Sequence, residues 1–592
     1  MDITALVPAA TSLAGQYKQV SSPVAHSLFL TSLFAMLPLL VLFVLLGVVK
    51  LPAHISALIA LVVCLVIATV VYPMPLSQAL DVSVLGAAFG LFPIMWIVVN
   101  AIWIYNMTLS TGHFDALRRS FSKVSDDQRI QAMIIAFCFG ALMEALAGFG
   151  TPVAISSVML IALGLKPMKA ATVALVANTA PVAFGAVAVP IITLGSPAVT
   201  GLPVDTLGSM VGRQTPILAV FVPLALVAIV DGMRGIRQTW PVALVCGGTF
   251  ALAQFICSNY ITVELTDIIA ALASALAVVG FLQIWQPAEH FTADLSPDDD
   301  DLVGGSRVRP VAGGAADRRD AGFDHRVRTG GDVVDSRADV VRAYAPYVII
   351  ITVFAIAQIG AIKGKAPAKI GDSGTGIEAV TKLFKWPGLD LANAKGAPQA
   401  LMTFRFNWLS AAGTLLLIAG LITMLVLRVS VGGALRAYGA TLNQLKFAIV
   451  TVMAVLALAY VMNASGMTRT LGLWLAGAGG AFAFISPVLG WLGVAVTGSD
   501  TSSNSLFGAL QKTAAGSDTT KQILYAAANS SGGVLGKMIS PQNLAIAAGA
   551  VGLAGKEGDL FRKVLPWSLG FLVFMSVLIF LQSTVLKFMI PG

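Results

Sequence analysis

Apolar stretches long enough to cross a bilayer recur along almost the whole chain, with short polar loops between them. A helix needs about 20 apolar residues to span the hydrocarbon core. Because every backbone N–H and C=O must be paired internally there, and the runs lack the alternation of barrel strands, helices are expected. The runs lie at 28–49, 52–72, 82–107, 130–164, 168–195, 214–231, 239–258, 263–284, 344–362, 408–428, 444–464, 469–492, 494–511, 521–552 and 564–590.

Two of these runs, 130–164 and 521–552, are longer than one crossing needs and contain Gly, Pro and polar residues near their middles. Such runs indicate broken helices or hairpins. The pattern therefore predicts an all-α polytopic membrane protein with 12–15 transmembrane helices.

Composition supports the same class. The chain is 57% hydrophobic and only 11% charged, whereas soluble domains carry about 25% charged residues. The segment 287–342 alone holds 20 of the 66 charged residues. A soluble enzyme, a nucleic-acid-binding module and a disordered scaffold are therefore poor interpretations. The net charge of +8 fits basic loops that face a cytoplasm and anionic lipid.

Four segments follow from the distribution of charge and apolar runs. They are an N-terminal segment 1–27 without an evident cleavable signal peptide, a first transmembrane half 28–285, a flexible hydrophilic loop 286–343, and a second transmembrane half 344–592 in which 363–400 forms an extramembrane loop or cap. The basic loops at 112–129 and after Asp231 are predicted to be cytoplasmic, which places the N-terminus outside.

An internal self-match is the most informative feature. Ala, Asn, Gly and Pro recur in both halves at identical offsets, and a polar or Gly-rich patch precedes each Asn by about thirty residues. The paired positions are Asn178 with Asn529, Gly185 with Gly536, Pro190 with Pro541, and Gly148–Thr151 with Gly498–Thr501. Duplicated halves with interrupted helices are typical of secondary transporters, whose binding site lies near the membrane midplane.

Interrupted helices matter because they leave backbone N–H and C=O groups unpaired inside the membrane. Such groups are tolerated only where a cavity, an ion or a substrate satisfies them. Exposed helix N-termini carry partial positive charge and suit an anionic substrate. One break from each half would meet the other near the midplane and form one site. An inverted arrangement would require an odd number of spans in each half.

Three charged residues lie deep in apolar surroundings. An ionised carboxylate at a helix centre costs about 3 kcal/mol on insertion scales, which makes Glu144 and Asp500 candidates for carrying a proton. Lys537 is a candidate partner for a substrate carboxylate or for Asp500. The alternatives are a neutral structural Glu144, an ordinary polar loop around Asp500, and a Lys537 that reaches toward the interface.

Histidines and cysteines indicate no metal site. Five His and four Cys occur, without a CxxC or Cys/His spacing, so neither a zinc site nor a disulfide framework is predicted. No cofactor and no nucleic-acid partner are expected.

Four stretches resemble the bacterial L-lactate permease (lactate/glycolate permease) family: Glu144–Ala154, Ala177–Gly185, Thr497–Asn504 and Ala528–Gln542. The resemblance covers about 28–285 and 343–590. It implies a multi-pass carrier of the cytoplasmic membrane that takes up L-lactate, and often D-lactate or glycolate, together with protons. It implies no role for the loop 287–342.

We therefore expect proton-coupled symport of small 2-hydroxymonocarboxylates, with Glu144 or Asp500 carrying the proton. A sodium-coupled carrier of small organic anions remains the main alternative, and an anion channel or a membrane-embedded enzyme fits less well. Self-association is left open. The residues expected to bind substrate are Gly148, Gly150, Thr151, Asn178, Thr179, Ser499, Thr501, Ser502, Asn504, Asn529, Ser530 and Lys537.

Overall fold

A computed structural model describes residues 16–49, 51–122, 124–125, 127–148, 150–289, 291, 336–553 and 556–591. The helices of the first half are α1 (Leu28–Phe43), α2 (Ala53–Val70), α3 (Leu76–Phe89), α4 (Trp96–Ser110), α5 (His113–Ser122), α6 (Gln128–Ala132), α7 (Gly140–Ala147), α8 (Thr151–Ala162), α9 (Pro167–Ala177), α10 (Gly185–Leu194), α11 (Val204–Val211), α12 (Thr215–Ala219), α13 (Val222–Ile256) and α14 (Thr266–Leu282). Those of the second half are α15 (Arg337–Gln358), α16 (Gly360–Lys363), α17 (Ala412–Val426), α18 (Val431–Ser465), α19 (Met467–Ala476), α20 (Phe482–Thr497), α21 (Asp500–Ala514), α22 (Thr519–Gly536), α23 (Pro541–Ala550) and α24 (Glu557–Ser583).

Nine helical stretches in the described chain are long and apolar enough to cross a membrane, or ten if the bent pair α9 and α10 is one span. This confirms a polytopic membrane protein, with fewer full spans than the 12–15 predicted. One reason is that three apolar helices, α8, α14 and α17, are shorter than a crossing needs. A second is that Val204–Ile261 forms a single 58-residue stretch, much longer than the roughly 20 residues of one span.

One end of the bundle carries four short strands: β1 (Tyr17–Lys18), β2 (Lys382–Lys385), β3 (Leu391–Ala392) and β4 (Thr403–Phe406). β1 pairs in parallel with β3, and β2 pairs antiparallel with β4. The hydroxyl of Tyr17 donates to the carbonyls of Tyr72 and Ser465 at 2.8 and 2.7 Å. The N-terminal strand and the cap segment therefore lie together at this end, which we name the strand end.

The opposite end is held by a buried arginine. The Arg129 guanidinium donates to Asp127 at 2.7 Å, to Asp231 at 3.0 Å and to the carbonyl of Glu289 at 2.7 Å. Its ring neighbour is Phe291, 5.6 Å from the guanidinium carbon to the ring centroid. A fully buried cation needs such partners, because an unpaired charge in a low-dielectric interior is very costly. We name this the arginine end.

Helices α6–α7 and α8 run side by side in opposite directions. The Gln128 side chain, at the start of α6, donates to the carbonyl of Leu163, just beyond the end of α8, at 2.7 Å. Gln128 neighbours Arg129 in sequence, so both helices have their outer ends at the arginine end.

Helices α20 and α21 form a second antiparallel pair. Ser486 and Gln511 exchange hydrogen bonds of 2.7 and 2.8 Å between the outer parts of the two helices. Lys512, on α21, donates to the carbonyl of Thr200, and the nearby Ala198 carbonyl accepts from Asn463. Asn463 lies two residues before Ser465, whose carbonyl accepts from Tyr17. The outer ends of α20 and α21 therefore lie at the strand end.

The hydrophilic segment predicted as a flexible loop, 286–343, lies mostly outside the described residues. Its final part is helical, because α15 begins at Arg337. Ser336 caps this helix by accepting from the backbone N–H of Asp339 at 3.1 Å, which satisfies a donor that has no intrahelical partner. The first helix of the second half therefore begins seven residues, or about two turns, before position 344.

Candidate functional site

The turn between α7 and α8 contains two glycines, Gly148 and Gly150. We name Gly148, Gly150 and Thr151 the first tip. Gly148 has φ 34° and ψ −145°, and Gly150 has φ 83°, conformations that residues with a Cβ rarely adopt. Glu144 lies in the last turn of α7, and a Cβ at Gly185 would come within 2.9 Å of its Oε1. Glycine at positions 148 and 150 allows the turn to form. Glycine at position 185 leaves room for the Glu144 carboxyl group against the neighbouring backbone.

The turn between α20 and α21 carries polar side chains. We name Gly498, Ser499, Asp500 and Thr501 the second tip. Gly498 has φ 75°, and Ser499 caps α21 by accepting from the backbone N–H of Ser502 at 3.3 Å. Asp500 is the first residue of α21, where a carboxylate is favoured by the partial positive charge of the helix N-terminus.

Neutral donors surround Asp500. Its Oδ2 accepts from Ser530 at 2.5 Å and from Asn504 at 3.2 Å. Asn504 also donates to the carbonyl of Pro190 in the first half at 3.1 Å and accepts from Asn529 at 2.9 Å. The other oxygen, Oδ1, is buried and has no hydrogen-bond partner among the described residues. This free oxygen is available to a proton, a cation or a ligand.

Glu144 is bound by a cation from the other half of the chain. Lys537 Nζ lies 2.5 Å from Glu144 Oε1, and both side chains are almost fully buried. Asn178 Nδ2 donates to the second oxygen at 3.0 Å. Two partners were considered for Lys537, a substrate carboxylate and Asp500, and the ion pair that the structure describes is with Glu144 instead of Asp500. The lysine follows the end of α22, where its side chain reaches the last turn of α7 instead.

One cavity of about 280 Å³ lies between the two tips. Seven of the fourteen predicted binding and proton-coupling residues line it: Glu144, Gly148, Ser499, Asp500, Thr501, Ser502 and Lys537. The other seven do not reach the wall: Gly150, Thr151, Asn178, Thr179, Asn504, Asn529 and Ser530. Four of these, Asn178, Asn504, Asn529 and Ser530, hydrogen-bond either to the two acids or to a residue that does.

The two matched asparagines differ in their local structure. α9 ends at Ala177, Asn178 is its C-cap, and the chain bends by 63° before α10. α22 instead continues through Asn529 to Gly536. The Asn529 side chain donates to Asn504 and accepts from Gln511, whereas Asn178 Oδ1 has no partner in the described chain. Equal spacing in sequence thus does not give equal backbone geometry.

A left-handed turn without glycine borders the cavity. Ala186, Val187 and Ala188 have φ values of 45°, 57° and 59°, and this conformation costs roughly 1–2 kcal/mol per residue. Ala186 lines the cavity, and its Cβ is 3.9 Å from the place where Gly148 would carry a Cβ. Strained backbone of this kind clusters at functional sites. No pattern in the sequence indicated it.

Two polar residues near the site were not singled out from the sequence. Asp267 is buried at the start of α14, accepts from Gln254 at 3.1 Å, and leaves its Oδ2 without a partner in the described residues. It could have been found by the same reasoning as Glu144, because it is an acid within an apolar run. Gln542, the second residue of α23, lines the cavity and ends one of the stretches that carried the family resemblance.

The part of the chain that the structure describes contains no group of three or more His, Cys, Asp or Glu that could hold a metal ion. Cys64, Cys138, Cys246 and Cys257 are all buried free thiols.

The chain matches a known protein family over most of its length. The profile of the L-lactate permease family matches residues 31–586. The chain belongs to the L-lactate permease family. The resemblance found in the sequence is thereby confirmed, and a permease family indicates a multi-pass membrane transporter and not an enzyme.

Several curated members of the family align over nearly their whole length. The L-lactate permease of Escherichia coli (strain K12) is 42% identical over 96% of this chain and 98% of its own length. The L-lactate permease of Bacillus subtilis (strain 168) is 39% identical over 97% and 100%, and the glycolate permease GlcA of Escherichia coli (strain K12) is 41% identical over 94% and 96%.

One solved structure also aligns with the chain. The Alcanivorax borkumensis YdaH transporter covers 94% of this chain and 97% of its own, with 14% identity and a TM-score of 0.40. This similarity is too weak to support conclusions about the site.

Proposed function

We propose that the protein is a secondary active transporter that carries L-lactate, and the related D-lactate and glycolate, together with protons across the cytoplasmic membrane. The observation that carries the proposal is the cavity between the two tips, in which an acid of the first half meets a lysine of the second half. The names of the curated relatives support lactate and glycolate as substrates.

We propose further that the chain consists of two inverted repeats, each with a helical hairpin that ends near the membrane midplane. The support is that the α6–α8 pair has its outer ends at the arginine end and the α20–α21 pair at the strand end. Hairpins that enter from opposite sides are typical of carriers with inverted repeats, in which one site is exposed alternately to each side.

The ion pair supplies a coupling mechanism. In the described structure Lys537 is neutralised by Glu144. A proton that binds the Glu144 carboxylate makes it neutral and frees the ammonium group, and a substrate carboxylate then takes its place. The pocket carries the same net charge before and after both have bound, so the carrier does not move an uncompensated charge through low dielectric. Binding of the anion therefore requires the proton.

The second tip supplies the remaining contacts. The N-terminus of α21 offers partial positive charge to a carboxylate, and the side chains of Thr501 and Ser502 line the cavity. Affinity has a ceiling. Lactate has six non-hydrogen atoms, and at about 1.5 kcal/mol for each atom the dissociation constant is roughly micromolar or weaker. Weak binding suits a carrier that must release its substrate.

The deciding experiment is uptake of radiolabelled L-lactate into proteoliposomes. An inward pH gradient without sodium is expected to drive accumulation, and a protonophore is expected to abolish it. Accumulation that follows an imposed sodium gradient and ignores the pH gradient would overturn proton coupling while leaving lactate as the substrate. Absence of saturable lactate uptake under both gradients would overturn the transport proposal itself.

Sodium coupling is the second candidate, because one specific observation favours it. The Oδ1 of Asp500 has no partner among the described residues, and Asp500 follows the turn at Gly498 by two residues. Carboxylate and carbonyl oxygens are the ligands that hard cations prefer. The same two-gradient experiment separates this candidate from proton coupling.

A further inference from the structure

The first turn of α23 presents an amide to the cavity. Gln542 follows Pro541, the first residue of the helix, and Ser540 caps the helix by accepting from the N–H of Asn543 at 3.4 Å. The side chain of Gln542 is exposed to the cavity that Glu144 and Lys537 also line. The helix start therefore fixes the position of an amide within the candidate binding site.

This amide is uncommitted, whereas neighbouring hydroxyl groups are not. Within the described residues, neither the oxygen nor the nitrogen of the Gln542 side chain has a hydrogen-bond partner. Thr451 and Thr497 also line the cavity, but each donates to a carbonyl of its own helix at 2.7 Å. A polar group that lines a cavity and has no protein partner is available to a ligand.

Gln542 lies beside the two groups expected to hold a carboxylate. The next residue, Asn543, donates to the carbonyl of Lys537 at 3.0 Å, which ties the helix start to the lysine. A Cβ at Gly498 would lie 2.6 Å from Gln542 Oε1, so the amide oxygen packs against the second tip. Lys537 and Gln542 line the same cavity of about 280 Å³, so a small ligand whose carboxylate contacts Lys537 lies in a cavity whose wall also carries this amide.

We propose that Gln542 recognises the 2-hydroxyl group of the substrate and selects 2-hydroxy acids over other small monocarboxylates. This inference rests on the proposed function. An amide donates through its nitrogen and accepts through its oxygen, which matches a hydroxyl group that also does both. A keto group only accepts, and a CH₂ group does neither. A substrate without the hydroxyl leaves the amide unpaired, which is how a polar site rejects a close analogue.

The test measures competition against uptake of labelled L-lactate in proteoliposomes under a pH gradient. Propionate is lactate without its hydroxyl group, and pyruvate carries a keto group in its place. For the wild-type protein, lactate and glycolate are expected to inhibit at concentrations about tenfold below propionate, the value of one hydrogen bond. In Gln542→Leu the ratio of the inhibitory concentration of propionate to that of lactate is expected to fall to near one. The inhibitory concentration of pyruvate is expected to rise less than that of lactate.

Thr451→Val is the matched control. It removes a polar group from the same cavity wall, but one whose hydrogen bond is internal, so the lactate-to-propionate ratio is expected to stay at the wild-type value. Gln542→Met, which keeps the length of the side chain, provides a second variant if the leucine variant does not insert.

The outcomes separate the two proposals. If the wild-type protein shows no lactate uptake, the proposed function fails. If it transports lactate but propionate competes as well as lactate does, the inference about Gln542 fails and the transport proposal stands. A wild-type ratio that persists in both Gln542 variants also overturns the inference.

Discussion

The two tips differ in how they hold a negative charge. At the first tip, Glu144 lies in the last turn of α7 and is held by Lys537 from the other half. At the second tip, Asp500 opens α21 and is held by Ser530 and Asn504, which are neutral. A helix C-terminus carries partial negative charge and opposes a carboxylate, whereas an N-terminus favours one.

This difference assigns unequal roles to the two acids. In the proposed mechanism, Glu144 depends on a cation and releases that cation when it binds a proton. Asp500 has no ion pair among the described residues and already has two neutral donors. We therefore expect the coupling event to lie at Glu144 and the second tip to be the more constant part of the site.

The largest effect is expected for Glu144→Gln. The amide cannot take up a proton, so the pH gradient should no longer drive accumulation, and uphill lactate uptake should be lost. Because Lys537 is then permanently free, exchange of labelled for unlabelled lactate should persist. Both activities are measured in the same proteoliposomes.

Asp267→Asn is the control for this prediction. Asp267 is also buried but does not line the cavity, so pH-driven accumulation should continue. Normal accumulation in Glu144→Gln, at wild-type expression, would show that Glu144 does not carry the proton.

Lys537→Ala is expected to raise the half-saturation concentration for lactate by at least about tenfold, the equivalent of 1.4 kcal/mol. Removing one partner of a buried ion pair also leaves the other uncompensated, at a cost of about 3–5 kcal/mol in stability. The double variant Glu144→Gln with Lys537→Ala should regain stability against thermal unfolding and still bind lactate weakly. An unchanged half-saturation in the single variant would count against contact between lysine and substrate.

The tip glycines are expected to respond differently to alanine. Both Gly150→Ala and Gly498→Ala force a Cβ into positive φ, at roughly 1–2 kcal/mol each. At Gly150 the new Cβ meets Ile546 and Asn543, and at Gly498 it meets Gln542 in the cavity wall. We expect both to lower the unfolding temperature in detergent and only Gly498→Ala to raise the lactate half-saturation several-fold.

Gly248→Ala serves as the matched control, because it lies within α13 and a Cβ there has open space. It should change neither quantity. Equal effects of the two tip variants on half-saturation would show that both tips contact the substrate alike.

The smallest effect is expected for Ser499→Ala. This side chain caps α21, and loss of a cap costs about 1 kcal/mol. Asp518→Ala removes the equivalent cap from α22 and should lower thermal stability by a similar amount. Only Ser499→Ala should also alter lactate half-saturation, because only Ser499 lines the cavity. A shift of the same size in both variants would remove Ser499 from the site.

Much of this site was visible in the sequence because its signals are local. Gly148 and Gly498 interrupt apolar runs, and an acid inside such a run is costly wherever the chain folds. The polar stretch from Ser499 to Asn504 also follows directly on an apolar helix. These features predicted the two turns and both cavity acids without any knowledge of tertiary contacts.

Contacts between distant parts of the chain could not be predicted in this way. The Glu144–Lys537 pair joins residues 393 positions apart, and sequence spacing does not reveal which acid a lysine will reach. The matched Asn178 and Asn529 gave no sign that one ends a helix and the other lies within one. The left-handed turn at Ala186–Ala188 contains no glycine, so no residue type marks it in the sequence.

The most direct test that the two tips form one binding site is whether bound substrate protects both of them from chemical modification. Ala186→Cys and Thr501→Cys each place a reactive thiol in the cavity wall, the first beside Gly148 of the first tip and the second on the second tip, while the four native cysteines are buried. If lactate binds between the tips, saturating lactate should slow modification of both thiols by a methanethiosulfonate reagent, and propionate at the same concentration should protect less. Protection of one tip alone, or of neither, would contradict a single site shared by the two halves.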